Sequence, residues 1–354
     1  MEKTKKQLTT FKVITAILCV ALIVVSVCYI AGVGYNGTSS KSSRSVVDPY
    51  IEKSRTSDPL SLWNDDAKLK QELTSYVKSV TTKGDDFIPV EDRIAVFDFD
   101  GTLFNETDPY YFDFMLYMYR VTEDPDYKDK ASDFEKDVAN RINAVLNGAK
   151  DEQLMVDHGK AVATAFQGMT IDEFDKYIAK FMETSMPSYD GMKRGEGFYK
   201  PMLQVIDYLE ANDFKVYIVT GTDDIINRGL LLNSSILKLP VDQVIGSTQT
   251  IVGTTQGDQD GLNYTLHTED VVLGNQFIIK NLNMNKVTAI LRELGKQPVL
   301  SFGNTSSDAS MGNYVINHNK YNAKCFMLCC DDLERENGNT QKAEKMVKLC
   351  SENN

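Results

Sequence analysis

The amino-acid sequence predicts an α/β fold, in which a parallel sheet carries helices on both faces. Short apolar runs of strand-forming residues alternate with amphipathic runs at helical spacing over residues 93–330. This alternation is typical of parallel sheets, whose strands are joined by crossover helices. Three of the apolar runs also end in polar residues, and ligands of such sheets bind beyond the carboxyl ends of the strands. We therefore expect a functional site at that edge of the sheet.

The predicted strands are short and buried. Apolar content assigns four runs to strands, namely residues 93–99, 214–222, 298–304 and 323–330. Residues 244–280 contain further β-like runs, and the sequence GTTQGDQDG within them predicts a hairpin or loop.

Apolar residues at helical spacing predict the helices. Residues 60–80 are expected to form a helix that leads into the folded domain, and residues 105–199 are expected to be helical and amphipathic. Three further helices are predicted over residues 202–213, 225–233 and 285–296. Their positions between strands are those that a parallel sheet requires.

An uninterrupted apolar run lies near the N-terminus. Residues 13–34 carry no charge, and at about 1.5 Å per residue they would span the roughly 30 Å of a hydrocarbon core. Lysines precede the run, so the positive-inside rule keeps residues 1–12 in the cytoplasm and places residues 35–354 outside the cell. We therefore predict a single-pass transmembrane helix in the cell membrane. A cleaved signal peptide is the alternative, because small residues lie around Ala31 and Gly34.

Composition divides the remainder of the chain. Residues 35–59 are expected to form a linker, since their first part is rich in Gly and Ser. Residues 60–104 would hold a helix and the first part of the α/β core. Residues 105–199 would form a helical insertion, and residues 200–354 the rest of the core.

Net charge and cysteine content exclude only a few classes of function. The net charge of −12 argues against a nucleic-acid partner, because phosphate backbones repel an acidic surface. The cysteines near the C-terminus, at positions 325, 329, 330 and 350, do not have the spacing of a zinc site. One disulfide among them and free buried thiols both stay open as interpretations.

The first predicted strand ends in the sequence DFDGT, residues 98–102. Two carboxylates crowded at one site repel each other, and Mg²⁺, which prefers oxygen ligands, removes that conflict. A carboxylate held in this way can attack a phosphate and form an aspartyl-phosphate. A second carboxyl can protonate the leaving oxygen and then activate water. The motif therefore predicts phosphoryl transfer at Asp98 and Asp100.

Phosphoryl transfer also requires groups that position and neutralise the phosphate. The second strand ends in VTGT, residues 219–222, which supplies a hydroxyl and backbone N–H groups. Lys286 opens a predicted helix and supplies a cation, with Lys280 as its competitor. Asn304 and Asp308 follow a third strand and supply further oxygen ligands for a metal.

Together these motifs resemble those of phosphatases of the haloacid dehalogenase-like (HAD) superfamily. DFDGT matches the first motif of that family in full. VTGT, Lys286 and the sequence GNTSSD at residues 303–308 resemble its second, third and fourth motifs in the same order. The resemblance covers residues 91–330, and the pattern of the core is similar to that of the phosphoserine-phosphatase-like branch. It implies a Rossmann-like core with a helical cap of the C1 type, formed by residues 105–199.

The resemblance implies that Mg²⁺ is the cofactor and assigns its ligands. Asp98 would be both the nucleophile and a metal ligand. Asp100 would be the general acid and base, with its backbone carbonyl on the metal. Asn304 and Asp308 would complete the metal site, although the family usually has aspartate where this chain has Asn304.

The resemblance also implies the phosphate and substrate contacts. Thr220, the N–H of Gly221 and Lys286 would bind the phosphate. Glu106 lies just past the first motif and is a candidate substrate contact. The aromatic run at residues 109–119 is expected to pack inside the cap, and a wall for an amine-bearing substrate is its alternative role.

The implied activity is Mg²⁺-dependent hydrolysis of a small-molecule phosphomonoester through an aspartyl-phosphate on Asp98. Dehalogenases of the superfamily lack the second aspartate of the first motif, so Asp100 favours phosphoryl transfer over carbon–halogen cleavage. A phosphotransferase with the same intermediate is one alternative. A catalytically inactive binding module is another, because Asn304 removes a negative charge from the metal site.

Overall fold

The structure, a computed structural model, describes residues 44–55 and 57–353. The predicted cytoplasmic tail, the predicted transmembrane helix at residues 13–34 and the start of the linker lie outside these described residues. Within the described ranges, no helix is both long enough and apolar enough to cross a bilayer.

A six-stranded sheet lies at the centre of the described part of the chain. Its strands are β1 (Ile94–Phe97), β2 (Lys215–Asp223), β3 (Val244–Gly253), β4 (Val271–Ile279), β5 (Leu300–Gly303) and β6 (Lys324–Met327). Their order across the sheet is β4-β3-β2-β1-β5-β6. The prediction of an α/β fold is therefore confirmed.

The sheet is parallel except at one edge. β1 pairs in parallel with β2 and β5, β2 with β3, and β5 with β6. β4 pairs antiparallel with β3, because a loop joins the two strands directly and no crossover helix turns the chain around. The β-like runs predicted within residues 244–280 are these two strands and the loop between them.

Both faces of the sheet are buried, which the alternation along β1 illustrates. Ala95 and Phe97 belong to the larger apolar cluster on one face. Ile94 and Val96 belong to a second cluster on the other face. Successive strand residues point to opposite faces, so a strand that is apolar at every position requires cover on both sides.

Helices supply that cover. The described residues contain eleven α-helices: α1 (Pro49–Ser54), α2 (Lys68–Thr81), α3 (Phe112–Thr122), α4 (Asp133–Leu146), α5 (Leu154–Ala165), α6 (Ile171–Met182), α7 (Lys200–Glu210), α8 (Asp224–Asn233), α9 (Met284–Leu294), α10 (Ala309–Ile316) and α11 (Thr340–Glu352). Apolar residues of α2 and α7 join the larger cluster, and those of α9 and α10 join the second. The helices therefore cover both faces of the sheet.

Four of these helices, α3 to α6, form the insertion between β1 and β2. Two of them begin with a capping box that the sequence encodes as S/T-x-x-E. Ser132 and Glu135 cap α4, and Thr170 and Glu173 cap α6. The insertion also contacts the edge strand β4, because the Gly168 N–H donates to the Leu273 carbonyl at 2.8 Å.

The C-terminal part of the chain runs through β6 into α11. Cys325, Cys329, Cys330 and Cys350 are all free thiols here, but Cys329 and Cys350 are exposed and the other two are only partly buried, so they agree with the second interpretation in being free and not in being buried. α11 brings Lys342 back to the first motif, where its ammonium pairs with the carboxylate of Glu106.

Candidate active site

The first motif forms a tight turn at the carboxyl end of the central strand. The Asp98 N–H still donates to the Phe302 carbonyl of β5 at 2.9 Å, and the Gly101 N–H then donates to the Phe104 carbonyl at 2.7 Å. Gly101 has φ of 75°, a conformation that favours glycine. A Cβ at this position would also lie only 1.8 Å from Asn304 Nδ2. Glycine is therefore required here for both conformation and space.

Lys286 is fully buried between two carboxylates. Its Nζ lies 2.6 Å from Asp98 Oδ1 and 2.6 Å from Asp308 Oδ1. A buried ammonium must be paired, since an unpaired charge would be very costly. The structure thus brings the predicted third-motif lysine to the predicted nucleophile. Lys280 lines the neighbouring cavity instead.

Asp308 uses both carboxylate oxygens within the protein. Oδ1 accepts from Lys286, while Oδ2 accepts from the N–H groups of Asn304 at 3.1 Å and Thr305 at 3.0 Å. The carboxylate therefore fixes the turn after β5 and neutralises the buried lysine. Its predicted role as a metal ligand stays a prediction.

Asp100 has a different environment from that of Asp98. Its Oδ2 accepts a hydrogen bond of 2.7 Å from the Thr222 hydroxyl. Its Oδ1 is buried and has no partner among the described residues. A buried polar atom without a partner is unusual in a native structure and marks a place where a ligand or water can bind.

The two threonines of the second motif lie in different surroundings. Thr220 is fully buried, and its Oγ1 accepts from the Thr222 N–H at 3.0 Å. Gly221 and Thr222 line the cavity at the site, whereas Thr220 does not. Phosphate binding by Thr220 and Gly221 stays a prediction, and the structure adds Thr222 as a residue that sequence reasoning missed.

Asn304 and Glu106 meet beside Gly101. A Cβ placed on Gly101 would lie 1.8 Å from Asn304 Nδ2 and 2.6 Å from Glu106 Oε2. Both atoms of the Asn304 amide, and Oε2 of Glu106, are buried without a partner in the described part of the chain. The other oxygen of Glu106 pairs with Lys342, a contact that no local sequence signal could have revealed.

Burial raises the pKa of both aspartates, and only Asp98 has a cation beside it that opposes this shift. Burial, reinforced by Asp308 and opposed by Lys286, raises the pKa of Asp98 to about 7. Burial, reinforced by Asp113 and Asp98, raises the pKa of Asp100 well above its usual range. Asp98 has a cation at 2.6 Å and Asp100 has none, so the protonated form is favoured more strongly at Asp100 than at Asp98.

A cavity of about 200 Å³ opens onto these residues. Acidic and basic groups line its base, and the insertion supplies apolar side chains. Its lining includes Asp98, Asp100, Glu106, Tyr111, Asp113, Phe114, Met155, Gly221, Thr222, Lys280, Leu282, Thr305, Ser306 and Ser307.

The aromatic run divides between its two expected roles. Tyr111 and Phe114 line the cavity, whereas Phe112 and Tyr117 are buried in the apolar core. Asp113, which also lines the cavity, had no sequence signal that set it apart from other helix carboxylates.

The oxygen atoms at the site fit a hard divalent cation such as Mg²⁺. Asp98 and Asp100 line the same cavity, the Asn304 amide lies beside Gly101 of the same turn, and the unpartnered oxygens include Asp100 Oδ1 and Asn304 Oδ1. Mg²⁺ takes carboxylate and amide oxygens and keeps several waters. The described residues hold no group of three or more His, Cys, Asp or Glu side chains placed around one point, so such a cation would depend on amide, carbonyl and water oxygens as well.

One family model and several solved structures are similar to this chain. A model of the haloacid dehalogenase-like hydrolase family matches residues 95–312. No curated protein matches the sequence. Among solved structures, a conserved functionally unknown protein from Anaerococcus prevotii DSM 20548 is similar, with 12% identity, 81% of this chain and 90% of that chain covered, and a TM-score of 0.49.

Two further solved structures are similar at low identity. Cytosolic 5'-nucleotidase IIIB bound to cytidine shares 12% identity over 82% of this chain and 88% of that chain, with a TM-score of 0.47. A probable phosphoserine phosphatase from Vibrio cholerae shares 11% identity over 70% of this chain and 62% of that chain, with a TM-score of 0.34. The family match covers more than half of the sequence and includes all four motifs, so the chain belongs to the haloacid dehalogenase-like hydrolases.

Proposed function

We propose that this HAD-like hydrolase is a Mg²⁺-dependent phosphatase that hydrolyses a small-molecule phosphomonoester through an aspartyl-phosphate on Asp98. The observation that supports this most directly is the unequal pairing of the two aspartates. Asp98 is ion-paired with Lys286, whereas Asp100 is hydrogen-bonded to a neutral hydroxyl and retains a free oxygen. One carboxyl is thus suited to attack and the other to carry a proton.

The first half-reaction forms the covalent intermediate. A carboxylate oxygen of Asp98 attacks phosphorus, and the bond between phosphorus and the ester oxygen breaks. The proton on Asp100 passes to the leaving alkoxide, whose release it facilitates. Lys286 stabilises Asp98 as the carboxylate before attack and lies beside the charge that gathers on the phosphoryl group.

The second half-reaction returns the enzyme to its starting state. Asp100, now ionised, takes a proton from a water molecule whose oxygen attacks phosphorus. The bond between phosphorus and Asp98 breaks, and inorganic phosphate leaves with the added oxygen. Asp100 regains its proton, which its raised pKa favours.

Mg²⁺, held by Asp98, the Asp100 carbonyl and Asn304, would neutralise charge on the phosphate and on Asp98. The donors for the phosphate oxygens would come from the Gly221 backbone and from the hydroxyl of Thr220 or Thr222. The Thr222 hydroxyl already donates its only proton to Asp100, so we assign this role to Thr220, as the resemblance implies, together with the Gly221 N–H.

The organic part of the substrate would occupy the cavity that the insertion covers. Its volume of about 200 Å³ suits a small molecule, and Tyr111, Phe114 and Met155 supply apolar contacts. We assign residues 105–199 to a C1-type cap that closes over the substrate and controls the access of water.

The test of this function uses the full chain in detergent. Phosphate release from an aryl phosphate and from a panel of small phosphomonoesters is measured with Mg²⁺, with a chelator, and for Asp98→Asn. We expect metal-dependent release in the unmutated protein and a loss of about 10⁴-fold or more in the variant. Undiminished turnover in Asp98→Asn would contradict the mechanism.

Two alternatives make different predictions. A phosphotransferase would pass the phosphoryl group to an added alcohol faster than to water, so the ratio of transfer product to free phosphate distinguishes it. An inactive binding module, suggested by Asn304, would release no phosphate from any ester. Turnover that appears only in Asn304→Asp would identify the natural chain as such a module.

We also propose that residues 13–34 anchor the protein in the cell membrane with residues 35–354 outside. The support is the uncharged length of that run and the lysines before it. External protease added to intact cells should then digest the hydrolase domain. Protection of the domain until the membrane is opened would contradict this orientation.

A further inference from the structure

The proposed cation site lacks the carboxylate that the family usually has at position 304. Position 304 is an asparagine, 2% exposed, and neither its Oδ1 nor its Nδ2 has a hydrogen-bond partner among the described residues. An amide can donate an oxygen to Mg²⁺, but its attraction for the cation is much weaker than that of a carboxylate because it carries no net charge. A cation at this site would therefore benefit from a second acidic side chain close to Asn304.

Glu106 is the acid in the right place. Its Oε2 and the Asn304 amide lie against the same point beside Gly101, where an added Cβ would be 2.6 Å from one and 1.8 Å from the other. Glu106 is 7% exposed, and this Oε2 is buried and unpartnered within the described residues. A buried carboxylate oxygen in this condition is unfavourable unless a cation or a donor reaches it.

The other oxygen of Glu106 faces the C-terminal helix. Oε1 pairs with the ammonium of Lys342, whose side chain is 32% exposed at the surface. One oxygen of the glutamate is therefore paired with a cation of the protein, and the other is buried without a partner beside the Asn304 amide. Lys342 competes there for the charge of Glu106.

We propose that Glu106 supplies the acidic oxygen that position 304 lacks, and acts on the divalent cation directly or through one of the waters that Mg²⁺ retains. This inference rests on the proposed function, because that function requires the cation. It gives Glu106 a different role from the substrate contact expected from the sequence. It also explains how an asparagine is tolerated at position 304 in a working metal site.

The experiment measures Mg²⁺ binding to the full chain by calorimetry, without substrate. Four proteins are compared: the unmutated chain, Glu106→Gln, Asn304→Asp, and the double variant. We expect Glu106→Gln to weaken Mg²⁺ binding by about 10- to 100-fold. We expect Asn304→Asp to strengthen it, and the loss from Glu106→Gln to shrink to about threefold or less in the Asn304→Asp background.

Asp113→Asn is the matched control. Asp113 is a buried carboxyl that lines the same cavity, but it lies on α3. We expect its Mg²⁺ affinity to stay within about threefold of the unmutated chain. Equal losses in Asp113→Asn and Glu106→Gln would overturn the proposal, because the effect would then be one of general charge.

Three other results would overturn it. Glu106→Gln with unchanged Mg²⁺ affinity would do so, even if its KM rises, because Glu106 would then be a substrate contact only. Equal losses in both backgrounds would show that Glu106 does not replace the acid at 304. An unmutated chain that binds no Mg²⁺ would remove the cation site itself, whereas metal-dependent turnover with an unaffected Glu106→Gln would remove this inference alone.

A surface variant keeps the proposal testable if Glu106→Gln does not fold. Lys342→Met removes the competing cation from Glu106 and changes only a partly exposed helix position. We expect it to tighten Mg²⁺ binding by about threefold. Unchanged or weaker binding in Lys342→Met would contradict the role assigned to Glu106.

Discussion

Asp98 stands between two halves of the site that differ in how completely they are paired. The lysine side consists of Lys286 and Asp308, and every charge there has a partner within hydrogen-bond distance. The cation side consists of Asp100, Asn304 and Glu106, and each of these has a buried atom without a partner in the described structure.

The difference shows which part of the site is formed by the fold and which part depends on a ligand. A closed set of ion pairs stabilises the chain by itself, whereas buried unpartnered oxygens favour the folded state only when a ligand binds them. We therefore expect substitutions on the lysine side to lower stability, and those on the cation side to change activity and metal binding.

The largest effect is expected on the cation side. Asp100→Asn should lower kcat by about 10²- to 10⁴-fold, because the leaving oxygen loses its proton donor. The loss should be smaller for aryl phosphates, whose leaving groups need little protonation, than for alkyl phosphates. Rates across a series of leaving groups check this. An equal loss for every ester would contradict the role of Asp100 as the acid.

Lys286→Met should remove both ion pairs of the lysine side, those with Asp98 and Asp308. It leaves two buried carboxylates facing each other without their cation, and we expect it to lower the free energy of unfolding by about 3–5 kcal/mol. Urea denaturation with chelator present measures this. The matched control is Lys280→Met, a half-buried lysine at the cavity wall, for which we expect less than about 1 kcal/mol.

A smaller effect should appear in the pH dependence of stability. Burial raises the pKa of Asp98 to about 7 and that of Asp223 to about 8. The folded chain then binds more protons than the unfolded chain from about pH 4, the ordinary pKa of an aspartate, up to about pH 7 for Asp98 and about pH 8 for Asp223. Stability must therefore fall as pH rises, by up to about 1.4 kcal/mol per pH unit for each group.

Thermal unfolding in chelator should show this slope, and saturating Mg²⁺ should reduce it, because the cation favours ionised Asp98. Asp223→Asn provides the comparison, since Asp223 caps α8 and accepts from the Ile225 N–H. Its share of the slope should disappear in that variant whether or not Mg²⁺ is present. A slope that Mg²⁺ leaves unchanged would contradict a cation at Asp98.

Thr222→Val should have the smallest effect. It removes the hydroxyl that donates to Asp100, a hydrogen bond whose loss costs about 0.5–1.5 kcal/mol. Because that bond favours the ionised carboxyl, the pKa of Asp100 should rise further. The alkaline limb of the profile of kcat/KM against pH should move to higher pH. A shift to lower pH would contradict the contact.

Much of the fold could be predicted from the sequence because its signals are local. Apolar strands, helical spacing and polar strand ends each extend over a few residues, and they predicted the parallel sheet and the edge at which the first motif lies. The sequence favours Lys286 over Lys280 because Lys286 opens a helix, and in the structure the Lys286 ammonium donates to the Asp98 carboxylate.

The remaining features depend on contacts that local patterns do not contain. β2 has an irregular register between Val219 and Asp223, so strand alternation could not show that Thr222 lines the cavity. Glu106 and Lys342 are 236 positions apart in the sequence. The residues next to each of them in the sequence give no indication that the two side chains pair. By contrast, the antiparallel pairing of β3 and β4 agrees with a hairpin at GTTQGDQDG, one of the two interpretations of that segment.

The pairing of Glu106 with Lys342 has a consequence for the order in which the protein becomes competent during synthesis. The reacting aspartates are made early, but the residue that shares the charge of Glu106 is made some 240 positions later. A ribosome-bound chain that stops before α11 can carry the complete first four motifs and still lack this cation. The proposed Mg²⁺ site would then be more negative than that of the finished protein, and we expect its metal affinity to change as the last helix emerges.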